Sequence, residues 1–486
     1  MTRISRSVAE EVLRLHDSEL APSEIALKLD LKKMQVCAII AHRNLSSEGA
    51  PTNRPAETKD TIYGEGASPE SIELSRSTLV REYIAGVESL SAEVAADEVG
   101  NKTEEEDQTD PGVFVGDDKE YDDSLYWRPQ DSTVVPNPHL MIIGESGSGK
   151  TYALQCLMAE LSQRDMPSIV FDYGQGFEIQ SLDETFRKYT NPQEYLLGEE
   201  GISLNPLQIF ANDIHGPKSV ATRVSDIFDA VYQLGAIQRK VLIEAILRVF
   251  ERSGITAEVK SSWAKPAPSV TNLQEVLEEL ASDKEYPNAK NAVGIAARLT
   301  TFFMLSSFRV GGSGWSWETL INDSEHRVHI LQFRGLEGKT QRVLVEVLLW
   351  HLFFYLKSHG QGQLRLYCIL DEAHHLSFRE GGPIDLLLRE ARKFGIGIIF
   401  ASQQPEDFSP AAFSNSASKL VFQTTDTNMK VARFLAAKCT NYDSPERIHE
   451  LIAVLPRGEA FFITQNRGHE VRIADLRKRS TLWSKE

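Results

Sequence analysis

Between positions 144 and 151 the chain reads Gly-Glu-Ser-Gly-Ser-Gly-Lys-Thr, which fills every fixed place of the pattern G-x-x-x-x-G-K-[ST]. Glycines at 144, 147 and 149 let the backbone curl until its N–H groups point inward. A helix starting near Lys150 adds the positive end of its dipole. Such a loop is an anion cradle. The whole run, Gly144, Glu145, Ser146, Gly147, Ser148, Gly149, Lys150 and Thr151, is expected to wrap the phosphates of ATP, with Lys150 on the β- and γ-phosphates and the Thr151 hydroxyl on Mg²⁺. The bland alternative is a glycine-rich run that matches by chance. The apolar stretch His139–Ile143 directly before the loop, with a helix directly after it, argues against that.

Far downstream, Leu366-Tyr367-Cys368-Ile369-Leu370 is an apolar run ending in Asp371-Glu372-Ala373-His374. The end of a buried parallel strand delivers carboxylates to the crevice where ligands bind. Asp371 is expected to hold Mg²⁺, partly through its water shell. Glu372 is suited to polarise the attacking water, because γ-phosphate hydrolysis needs positioning and a proton acceptor. Acidic residues often end strands, so the pair takes its meaning from the phosphate loop upstream. A third element is the strand Ile396–Phe400 followed by Ala401-Ser402-Gln403-Gln404-Pro405. An amide at the tip of a strand beside the catalytic one can contact the γ-phosphate or the attacking water, and Gln403 is assigned that role. The plainer alternative is a solvated strand-end glutamine.

These residues need strands that end along one edge and helices that follow them. Candidate strands are His139–Ile143, Ser168–Asp172, Val328–Phe333, Arg365–Leu370, Gly395–Ala401, Lys419–Gln423 and Glu459–Thr464, several followed by amphipathic helices. The expected fold is α/β: a P-loop NTPase of RecA-like type, with a mainly parallel sheet covered by helices on both faces. The long, mostly helical stretch of about 219–308 reads as an inserted helical subdomain. The most apolar run, Val343–Leu356, is broken by Glu346 and His351 and falls short of the ~20 residues a spanning helix needs, so it is expected to be a buried helix.

Taken in order, the segments NPHLMIIGESGSGKT, IVFDYGQGFE, LNPLQIF, LYCILDEAHH, ARKFGIGIIFASQQPEDFSP, SNSASKLVFQTTD and LPRGEAFFI resemble the HerA/FtsK superfamily of ring-forming DNA-translocating ATPases, most closely its HerA-like branch. The resemblance spans roughly Trp127 to Asp475. It implies a hexameric ring with ATP between subunits and DNA threaded through the pore. By the family pattern Arg392 looks like the arginine supplied towards a neighbour's nucleotide, with Arg389 near enough to compete. Such a finger is worth ~10³–10⁵ in rate. The turn from Asp172 to Glu178 differs in detail from the family's usual acidic turn. The small β-barrel that often precedes the motor in HerA-like proteins has no matching strand pattern here.

In its place are two other segments. Residues 1–47 show helical periodicity that resembles the helix-turn-helix family, with Lys32, Lys33, Gln35, His42 and Arg43 on the last helix. The unit serves either DNA contact or protein docking, and the turn carries Asp30 where a glycine is usual. Residues 48–123 hold 21 acidic against 6 basic residues, nearly all of the formal charge of −17, and are expected to be an acidic, largely flexible linker. The domain proper is then 124–486. Its near-neutral balance leaves room for a local basic surface.

The four cysteines, Cys37, Cys156, Cys368 and Cys439, lie far apart and are expected to be reduced. The N-terminal MTRISRSVAEEVL has no apolar signal core, so a cytoplasmic protein without a membrane partner is expected. The leading expectation is an ATP hydrolase that moves along or remodels DNA, in DNA processing or anti-phage defence, with a partner nuclease or other effector, since no nuclease motif is evident. The alternative is an ATPase scaffold or switch in a defence complex, without processive movement. Two further options are a conjugation or secretion coupling ATPase and a transcription factor with an ATPase sensor.

Overall fold

The computed structural model describes residues 112–483 apart from positions 122, 175, 203, 305–314 and 443, together with position 28. The helical unit expected over 1–47 and most of the acidic segment lie outside the described residues. The chain divides into two units, Met1–Asp107 and Gln108–Glu486, and the second holds every motif of the phosphate site.

Its strands are β1 (Val113–Asp118), β2 (Ser124–Trp127), β3 (Leu140–Ile143), β4 (Ser168–Asp172), β5 (Gln193–Leu196), β6 (Val328–Gln332), β7 (Leu366–Leu370), β8 (Ile396–Ser402), β9 (Ser418–Val421), β10 (Glu459–Thr464) and β11 (Arg467–Ile473). They form one sheet in the order β2-β1-β11-β10-β9-β3-β8-β7-β4-β6-β5. From β9 to β5 every pairing is parallel. An antiparallel wing of β10, β11, β1 and β2 extends the other side. Because β8 lies between β3 and β7, its tip stands between the ends of the phosphate-loop strand and the carboxylate strand.

Strand alternation explains why both faces are covered. Met141 and Ile143 of β3, Ile169 and Phe171 of β4, and Leu366, Cys368 and Leu370 of β7 enter one core. Leu140, Ile142, Val170, Tyr367 and Ile369, one residue out of phase, enter a second core on the opposite face. The second core is filled by the helix that follows the phosphate loop, α1 (Lys150–Ser162), through Leu154, Leu157, Met158 and Leu161. Each such side chain withdrawn from water contributes ~1.5–3 kcal/mol.

The insertion comprises α2 (Pro217–Tyr232), α3 (Ala236–Arg252), α4 (Val270–Ser282) and α5 (Ala289–Met304), and it has a core of its own. Ser269 starts α4 with a capping box closed by Asn272. The apolar run singled out in the sequence lies in α6 (Gly338–Ser358), whose Val343 and Val347 join the insertion's core while Leu344 and Leu348 join the sheet's. On the same helix His351 ties both crossings to the insertion. Its Nδ1 accepts from Trp317 Nε1 at 3.0 Å, and its Nε2 meets Gln208 Oε1 of the LNPLQIF segment at 3.0 Å. Burial and then Arg223 push this imidazole down to about 3, so it stays neutral and serves as a fixed two-way hydrogen-bonding post.

Two expectations need correction. The ordered sheet begins at Val113, inside the segment assigned to the linker up to 123, because Val113 and Val115 bury in the core that α1 fills while β1 pairs with β2 and, from Gly116 on, with β11. The strands β1, β2, β5 and β11 were also missed. β5 is a short, half-buried edge and β11 mixes buried and exposed polar residues, so neither has the apolar run that marks a parallel core strand.

Candidate functional site

The phosphate loop leaves β3 as expected, with Gly147 at φ +80° and Gly149 at φ +114°, a region that side-chain-bearing residues rarely adopt. Gly144 is required for a different reason. A Cβ there would lie 2.6 Å from Phe422 Cβ and 2.8 Å from Ser148 Oγ. Three neighbours fix the loop's course: Gly144 N donates to Ser402 O of β8 at 3.2 Å, Glu145 N to Gln423 O beyond β9 at 2.8 Å, and Gly458 N to Ser148 O at 3.0 Å. The Glu145 carboxylate also accepts from Thr425 N at 2.9 Å and from the Thr425 hydroxyl.

Lys150 is 7% exposed and folds back over this loop, donating to Gly144 O at 2.6 Å and Glu145 O at 3.0 Å. Burial lowers its pKa, opposed by the carboxylates of Glu372, Asp371 and Glu145. Thr151 follows on the first turn of α1. A Cβ placed on Gly176 would be 3.6 Å from Asp371 Oδ2 and 3.8 Å from Thr151 Cγ2, so the two expected Mg²⁺ ligands flank one glycine.

At the end of β7, Asp371 is buried and its carboxyl is pushed up to about 7, first by burial and then by Glu372 beside it. Glu372 has φ 52° and ψ 55°, a left-handed backbone that costs ~1–3 kcal/mol in a non-glycine residue, and its N–H donates to Asp371 Oδ1 at 3.0 Å. Gln403 Nε2 donates to Glu372 Oε1 at 3.0 Å, and His374 Nδ1 lies 3.2 Å from Oε2. The amide at the tip of β8 is therefore joined to the neighbouring strand's carboxylate rather than standing free in solvent.

Asp172 has a part that the sequence resemblance did not specify. It is 1% exposed, and its carboxylate accepts from the N–H groups of Gly174 at 3.1 Å, Gly176 at 3.2 Å and Phe177 at 2.8 Å, and from Gln332 Nε2 at 2.6 Å. It thus shapes the turn whose glycines press against Asp371 and Glu372. Glu178 pairs with Arg334 at 2.9 Å, at the turn's exposed side. A buried Asp ending an apolar strand before two glycines is the signal that could have found this turn.

Arg392 is not near these groups. It lies before β8 begins, donating to Pro136 O, and the seven residues of β8 put roughly 20 Å between it and Gln403 of the same subunit. Arg389 is on α7 (Pro383–Glu390) and pairs with Asp385 at 2.7 Å. A cleft of about 890 Å³ bounded by Asp213, Arg223, Phe354 and Arg379 also lies apart from the phosphate loop.

The residues present fit a magnesium nucleotide. A curled, glycine-permitted backbone surrounds a lysine, the buried Ser148 Oγ has no hydrogen-bond partner among the described residues, and two acidic side chains stand opposite. A parallel sheet with this loop, and with a carboxylate strand one position removed, defines a P-loop NTPase domain. Residues 134–352 match the family model described as the central domain of the helicase HerA, so this stretch of the chain is similar to that domain. VirB4 of Thermoanaerobacter pseudethanolicus shares the fold with a TM-score of 0.59 at 17% identity, over 76% of this chain and 97% of that one. The plasmid coupling protein TrwB, in complex with a non-hydrolysable ATP analogue, aligns at 16% identity over 72% of this chain and 90% of its own, with a TM-score of 0.48. TrwB with ADP and Mg²⁺ aligns at 15% identity over 69% and 85%, with a TM-score of 0.47. No curated protein matches the chain. Among the described residues no helix is long and apolar enough to cross a membrane.

Proposed function

We propose that this domain hydrolyses ATP and couples that reaction to movement along DNA or its remodelling, as a ring of six subunits working with a nuclease or other effector. The observation that carries the hydrolytic part is the meeting, at the ends of β3, β7 and β8, of Lys150, Asp371 and a Glu372–Gln403 pair. A simple nucleotide-binding switch has no need of Glu372.

Lys150 releases the loop carbonyls and meets the β- and γ-phosphate oxygens, while the loop's N–H groups hold the rest of the phosphate chain. Thr151 and Asp371 are placed to hold Mg²⁺, which when bound supplies positive charge against the phosphate oxygens. Glu372 takes the proton of the attacking water, and Gln403 fixes that carboxylate's direction. Arg392 is too far to serve its own subunit's nucleotide, which supports the proposal that it serves a neighbour's in the ring. The DNA and effector parts rest on the HerA-type match.

Phosphate release measured with and without duplex DNA, beside a triplex-displacement assay for movement, tests this. DNA-stimulated turnover with displacement supports a motor. Turnover indifferent to DNA, with no displacement, would reject movement and leave the scaffold alternative.

A further inference from the structure

Glu372 and Gln403, at the tips of β7 and β8, fix where the reacting end of a nucleotide lies, on one flank of β3. The rest of the molecule then extends past the loop to the opposite flank, where β9 ends and β10 begins. There the turn Pro456-Arg457-Gly458 closes on the loop. Gly458 N donates to Ser148 O at 3.0 Å, Gly458 O accepts from Ile473 N at 3.0 Å, and a Cβ on Gly149 would lie 3.4 Å from Gly458 N.

Two side chains border this corner. Tyr152, directly after Thr151, is 37% exposed, and its hydroxyl accepts from Leu476 N at 3.1 Å, which pins an otherwise open ring. Helical side chains lean towards the helix N-terminus, so a residue on the first turn of α1 leans towards the loop. Arg457 is exposed and makes no hydrogen bond or ion pair with the described residues, one position from the Gly458–Ser148 contact. Val454, three residues earlier, leaves an apolar side chain 73% exposed. An aromatic ring, a free guanidinium and an exposed aliphatic group bordering a phosphate cradle match the chemistry of a flat heteroaromatic base.

We propose that this corner holds the base and ribose of the nucleotide, with the Tyr152 ring stacked on one face of the base and the Arg457 guanidinium covering the other. The assignment rests on the nucleotide reading of the loop and adds the part that distinguishes a nucleotide from a bare polyphosphate.

The test is calorimetric binding of ADP and of inorganic tripolyphosphate, both with Mg²⁺, to the full chain and to Tyr152→Ala, Tyr152→Phe and Arg457→Ala. Stacking of this kind is worth about tenfold or more in affinity. The alanine variants are expected to lose that much for ADP and to keep wild-type affinity for tripolyphosphate. Tyr152→Phe, which retains the ring, is expected to bind ADP within about twofold of wild type. Undiminished ADP binding in both alanine variants overturns the proposal. So does an equal loss for tripolyphosphate, or a Phe variant as weak as Ala, which would show that the hydroxyl's anchoring of Leu476 is what matters. A wild-type chain that binds neither ligand would instead overturn the phosphate-loop reading itself, and the subsite with it.

Discussion

Gln403 and Glu372 form one unit, and the amide's contribution depends on holding a carboxylate whose backbone is already strained. Gln403→Ala is expected to lower kcat by about 10–100-fold with little change in KM, since the group acts on the direction of the base and not on phosphate binding. Steady-state phosphate release across ATP concentrations reads this split. A KM effect without a kcat effect would move Gln403 to the binding side. The residues to which chemistry is assigned could be picked out because each is written locally, as a loop pattern or as an acidic or amide residue ending an apolar run. Asp172 and the Glu145–Thr425 link were not, because their meaning depends on partners brought in from elsewhere: Gln332 lies 160 residues from Asp172, and Thr425 lies 280 from Glu145.

Among the elements, the crossing into the insertion and the strand β9 carry buried charge with opposite consequences. Arg223 of α2 pairs with Asp213 at 2.6 Å, with side-chain exposures of 8% and 1%. Asp213→Ala leaves the guanidinium buried without its partner and is expected to destabilise the domain by ~3–5 kcal/mol, read as a lower denaturant midpoint. Lys419 of β9 is the reverse case. It is 3% exposed, donates to Ser416 O, and its pKa is depressed to about 7, first by burial and then by Lys438. The folded state disfavours its protonated form, so the stability present above the unfolded value of ~10.4 is lost as pH falls towards 7. Lys419→Met is expected to be more stable than wild type by ~1–3 kcal/mol at pH 7, with the gain shrinking above pH 10. Denaturation at pH 7 and near pH 10 reads the difference, and equal gains at both would contradict it. The parallel strands other than β5, and β10 of the antiparallel wing, were visible as apolar runs, and the insertion as helical periodicity. The rest of the wing was not, because β1 emerges from an acidic stretch and β11 mixes buried with exposed polar positions.

At the scale of the whole molecule, Arg392 stands far from its own phosphate site, so any part it takes in hydrolysis requires a second copy of the chain. If Arg392 acts on a neighbour, Arg392→Ala lowers turnover by about 10³-fold or more. Subunits of Arg392→Ala mixed with Lys150→Ala then regain activity, because some interfaces join an intact loop to an intact arginine. Mixtures no more active than either parent would place Arg392 outside the reaction. Every such inference depends on the carboxylate at the tip of β7 acting on ATP held by the loop at 144–151. The most direct measurement is Mg²⁺-dependent phosphate release by wild type and Glu372→Gln, beside ATP binding by each. The expected result is a loss of turnover of roughly 10²–10⁴-fold with ATP affinity retained. Turnover in Glu372→Gln equal to that of wild type would contradict the assignment.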